Sequence, residues 1–153
     1  MNTKDIIEFC FRYEKEIMHA VYERRHDAGS GKTGGSGSGH CFTSDTTAIT
    51  AIKNIEELPS VVVEYGAALN GKREMFTLRH PERWLKVVSW TKEHYSKNKQ
   101  GDLIKMKYAE SRGRREICDT IGIGTSIYHV MLNDILSFAE GVAIGIGVLT
   151  PKH

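Results

Sequence analysis

The chain has little of several things that would settle its class at once. Its formal net charge is only +2 over 153 residues, too small by itself to argue for a nucleic-acid partner. Its three cysteines, Cys10, Cys41 and Cys118, lie far apart and form no disulfide framework that spacing would reveal. No apolar run opens the chain, where Lys4, Asp5 and Glu8 stand instead. The longest apolar stretch, GVAIGIGVL at 141–149, is about half the ~20 residues a spanning helix needs. The expectations are free thiols, a cytoplasmic location and no membrane span.

What is present is unevenly spread. Residues 1–60 carry 7 Lys/Arg against 9 Asp/Glu, whereas residues 72–115 carry 13 against 5, a local charge of +8. That basic segment is where a phosphate backbone would be attracted. With 40% hydrophobic and 26% charged residues, the chain is long enough for one modest core or for two small helical units.

Residues 3–25 place Ile6, Ile7, Cys10, Tyr13, Ile17, Val21 and Tyr22 at spacings of three and four, which predicts one amphipathic helix within residues 1–26. Residues 27–43, DAGSGKTGGSGSGHCFT, are too rich in glycine and serine to repay the entropy of ordering and read as a flexible linker. The segment 44–153 is then a helical domain. Ser44 caps a short helix that Pro59 stops, with Ala48, Ile52 and Ile55 on one side. Across 61–79, VVVEY and EMFTL flank an Asn-Gly pair, which predicts a β-hairpin. Pro81 then suits the first turn of a helix running to about Ser96, with Trp84 in the core and Trp90 available to a partner. SKNKQGD reads as a turn, and Leu103, Ile104, Met106 and Tyr108 begin a further short helix that breaks at ESRGR.

Between Arg114 and Ala143 the spacing is that of two helices meeting at a sharp turn. Ile117, Cys118 and Ile121 line the inner side of the first, with Cys118 as the small residue at the crossing. Gly122 stands four residues later, where a positive φ is expected, and Ile123 plugs the turn. In the second helix Ile127, Tyr128, Met131, Leu132, Ile135 and Phe138 are expected inward. Thr125, Ser126, His129, Val130 and Asn133 are expected outward, as candidate base contacts in the major groove. Lys105, Lys107, Arg112, Arg114 and Arg115, immediately upstream, are the candidate phosphate contacts. No Arg or Lys occurs from Thr125 to Asn133, so hydroxyl, imidazole and amide groups would do the reading.

The order EELPSVVVEYG, RHPERWLKVV and IGIGTSIYHVMLNDILSFA also resembles the ArpU/RinA-like phage regulators over roughly 44–148. These small prophage-encoded proteins have a C-terminal part similar to region 4 of sigma factors. The resemblance implies activation of late phage genes, with the helix from Thr125 to Asn133 as the DNA reader. At the start of that helix, where the resemblance implies a basic residue and a hydroxyl, this chain has Thr125 and Ser126.

Other motifs fall away. GSGKT at 29–33 has His26 where a nucleotide-binding loop needs its first glycine, with no strand ahead and GGSGSG behind. His40 beside Cys41 has no second pair at ligand spacing, and no local serine, histidine and carboxylate grouping favours a triad. His94 and His129 are expected on helix surfaces. The expectation is therefore a mainly α protein with a small β-hairpin and a C-terminal helix-turn-helix. It would be no enzyme and would need no cofactor, regulating transcription on double-stranded DNA as a homo-oligomer or in contact with RNA polymerase. The rival readings are a small-terminase-like DNA-recognition subunit and a protein-interaction adaptor that never meets DNA.

Overall fold

The computed structural model describes residues 1–27 and 56–151. The expected linker beyond Asp27, the GSGKT run, the His40–Cys41 pair and most of the helix expected after Ser44 lie outside the described residues. Among those described, six α-helices and one two-stranded antiparallel sheet make a mainly α fold.

The N-terminal segment is two helices where the pattern predicts one: α1, Thr3–Arg12, and α2, Glu14–Asp27. Asn2 opens α1 with a reciprocal cap, its side chain accepting from the Asp5 amide at 2.9 Å while Asp5 accepts from the Asn2 amide at 3.1 Å. The break falls at Tyr13, with φ −112° and ψ 30°. Its ring lies 4.9 Å from those of both Phe9 and Tyr65, so packing against the hairpin overrides an otherwise continuous helical pattern. Phe9 and Phe11 are buried along with Ile7 and Cys10. That is more than one stripe, because α1 packs against several elements at once.

The hairpin pairs β1, Ser60–Leu69, with β2, Lys72–Arg79. Asn70 at φ 55° and Gly71 at φ 75° form its turn, the two left-handed positions an Asn-Gly pair tolerates. Val61 faces Leu78 and Val63 faces Phe76, which sends one face into the core and leaves Val62 and Met75 exposed on the other. The chain leaves the sheet through His80 at φ 51° into α3, Pro81–His94, with proline at its first position. Trp84, Val87, Val88 and Thr91 are buried there and Trp90 is exposed. Thr91 satisfies its hydroxyl on the Val87 carbonyl at 2.7 Å.

A second difference follows. Part of the expected SKNKQGD turn is helical: α4 runs Lys99–Ile104 and continues as a π-helical turn over Lys105–Ala109. Gly101 permits this, since a Cβ there would lie 2.3 Å from the Tyr95 carbonyl oxygen. The chain ends in α5, Arg114–Ile121, and α6, Thr125–Gly145. By length and composition alone α6 would pass for a membrane span. Its buried Tyr128, Met131, Ile135, Leu136, Ala139 and Ala143 instead form one wall of a core shared with α1, α2, the hairpin, α3, α4 and α5.

Candidate nucleic-acid interface

Helices α5 and α6 meet across Gly122, Ile123 and Gly124. Gly122 has φ 76° and its amide donates to the Cys118 carbonyl at 2.9 Å; the Ile123 amide donates to the same oxygen at 3.0 Å. A Cβ on Gly122 would meet nothing within 4 Å. The left-handed backbone and not crowding is what calls for glycine. Ile117 and Cys118 are buried and Ile121 is half-buried behind the turn.

Helix α6 starts from Gly124, which has no side chain to cap the first turn. Thr125, Ser126, His129, Val130 and Asn133 are all exposed, while Tyr128 and Met131 anchor the opposite side in the core. One inward expectation is overturned. Ile127 is 52% exposed beside Val130 at 55%, because the core stripe runs through positions 128, 131, 135 and 139, which turns 127 and 130 outward together.

The five candidate phosphate contacts separate into two groups. Lys105, Arg114 and Arg115 are exposed and have no carboxylate partner among the described residues. Lys107 and Arg112 are engaged within the fold. Lys107 lies 3.7 Å from Glu8 and 5.4 Å from the centre of the Tyr108 ring. Arg112 lies 2.5 Å from Glu110 and 3.5 Å from Glu116.

Tyr108 donates to Glu8 at 2.8 Å. Burial first, and then the neighbouring Glu8 charge, push its hydroxyl well above the ordinary tyrosine range, so it stays a donor. Burial likewise pushes the Cys10 thiol far up and leaves it unreactive.

Lys105, Lys107 and Arg112 share a cleft with Arg12, Lys15 and Lys92. The last three have no part in the sequence-based site. Arg12 and Lys15 sit in the acid-rich N-terminal segment, where a running charge count hides them. Only the tertiary fold, which gathers the α1–α2 junction, α3 and the π-helical turn around one cleft, brings the two groups together. Arg114 and Arg115 lie outside this cleft, at the start of α5.

No family model, curated protein or solved structure matches the chain.

Proposed function

We propose that the protein is a sequence-specific DNA-binding transcriptional regulator, of the kind that activates late genes of a phage or prophage in the host cytoplasm. Its reading element is the first half of α6. The observation that carries the proposal is the joint exposure of Thr125, Ser126, His129, Val130 and Asn133 at the start of a 21-residue helix that follows a three-residue turn. A helix so presented is the shape that enters a major groove. Hydroxyl, imidazole and amide groups then meet base edges, and Val130 suits a thymine methyl. The uncapped first turn and the exposed cations Lys105, Arg114 and Arg115 supply charge for the backbone. One such helix covers few base pairs, so useful specificity calls for a second copy or for RNA polymerase as partner.

A second reading draws on Ile127. Together with Val130 it presents two large apolar side chains in the first turns of α6, which also suits an adaptor surface for another protein. Selection from a pool of random duplexes, repeated for the double variant Ser126→Ala/His129→Ala, separates the two. An enriched motif lost in the variant is expected. Absence of any motif, with no retention on heparin, would hand the surface to the adaptor reading.

A further inference from the structure

A cleft of about 850 Å³ lies between the junction of α1 with α2 and the α4 segment with its π-helical turn. That volume is in the range of small-ligand sites, about 300–1,000 Å³. The π-helical geometry on one wall is itself concentrated at functional sites. Six Lys or Arg residues line the cleft against three carboxylates.

Half of those cations are neutralised inside the fold. Lys92 pairs with Glu14, Lys107 with Glu8, and Arg112 with Glu110 and Glu116. Arg12 and Lys15 on one wall and Lys105 on the other are exposed, with no carboxylate within 4.0 Å among the described residues. Of the lining carboxylates Glu14 is paired with Lys92, Glu16 shares the wall of Arg12 and Lys15, and Asp102 shares that of Lys105, so the excess positive charge of the concave site is concentrated on the wall of Arg12 and Lys15.

The aromatic rings of the cleft do not offer a base a platform. Phe11 and Tyr108 are buried and stack on each other at 5.2 Å, and Tyr13 is held between Phe9 and Tyr65. Recognition falls on charge, through the guanidinium fork of Arg12 and two mobile ammonium groups.

We propose that this cleft binds a compact polyphosphate, the triphosphate group that inorganic triphosphate and nucleoside triphosphates share, gripped between Arg12 and Lys15 on one side and Lys105 on the other. Lys105 is shared with the proposed DNA backbone contacts, whereas Arg12 and Lys15 have no role there, so variants of Arg12 and Lys15 test the cleft separately from the DNA reading.

Calorimetric titration of the full chain at physiological ionic strength, with inorganic triphosphate, ATP and adenosine as probes, tests the proposal. Triphosphate and ATP are expected to bind within threefold of each other and adenosine not at all. Arg12→Glu and Lys15→Glu should each weaken triphosphate binding at least tenfold, and Arg12→Gln by less. The hairpin pair Lys72→Glu/Arg73→Glu alters net charge more than either single change and should leave affinity within twofold. All four positions are exposed, so the fold should survive, which an unchanged thermal midpoint would verify.

Three results would overturn the site. One is no binding at millimolar triphosphate, and another is an equal loss in the hairpin pair, which would mean bulk charge. The third is ATP binding more than tenfold tighter than triphosphate, which would mean a base pocket. Duplex selection with Arg12→Glu distinguishes the two proposals, because its motif should persist when triphosphate binding is gone.

Discussion

Glu82 and Arg25 hold the hairpin base to the N-terminal helices. The Arg25 Nε donates to Glu82 Oε1 at 2.8 Å, and the other carboxylate oxygen accepts the Leu58 amide at 3.2 Å. Arg25 also reaches the Glu56 carbonyl at 3.1 Å. One carboxylate from α3 thus ties together the end of α2 and the segment leading into β1. Both side chains keep some exposure, so the pair is worth less than a fully buried one. Glu82→Gln is expected to cost about 1–2 kcal/mol, on the scale of hydrogen bonds to charged groups. Urea denaturation measures this, and a change under about 0.3 kcal/mol would show that the tie is not structural.

Two glycines should respond differently to alanine. At Gly122 the space is open and the cost is the left-handed φ alone, about 1 kcal/mol, with asparagine tolerated better than valine. At Gly101 a Cβ would collide with the Tyr95 carbonyl at 2.3 Å, so Gly101→Ala must move backbone between α3 and α4. Its loss should be about 2 kcal/mol or more. Thermal melts of the two variants give the order; equal midpoints would contradict the close approach.

Stability should fall as the solution becomes alkaline. Cys10 and Tyr108 have folded pKa values raised above their ordinary 9.0 and 10.0, so the native state keeps protons that the unfolded chain loses. The stability they contribute is fully present below those ordinary values and is lost as pH rises above 9 and then above 10. Each group adds a slope of up to about 1.4 kcal/mol per pH unit. Urea midpoints between pH 8 and 11 should show the decline. Cys10→Ala should flatten it from pH 9, and Tyr108→Phe only above pH 10.

If duplex DNA is bound as proposed, the free and the engaged cations should differ in the salt dependence of binding. Arg114→Ala and Arg115→Ala should each lower the slope of log affinity against log salt by about one. Arg112→Ala should change it by less, because in the free protein Arg112 is already held by Glu110 and Glu116. Filter binding across a salt series reads the slopes.

Much of the fold is legible in sequence where one residue type has one backbone use. Asn70 and Gly71 announce a hairpin because few other pairs accept two left-handed positions, and Pro81 announces a helix start because its missing N–H is not needed there. Gly122 marks the turn between α5 and α6 for the same reason. The candidate reader residues follow from helical periodicity, and all five are exposed as the period requires. Periodicity fails at Ile127, since the stripe of six apolar residues is wider than the strip of core it meets.

Local pattern and backbone preference, each worth about 1 kcal/mol at a single residue, therefore determined the hairpin, the start of α3, the turn at Gly122 and the outward placement of the five candidate reader residues. The tertiary structure decided what depends on partners distant in the chain. The break at Tyr13 needs Tyr65, and the engagement of Lys107 needs Glu8 about a hundred residues away. The polyphosphate cleft proposed here needs Arg12, from α1, and Lys105, from the π-helical turn, brought into one lining. Charge acts through space, and only the closed core sets the distances over which these groups attract or screen one another.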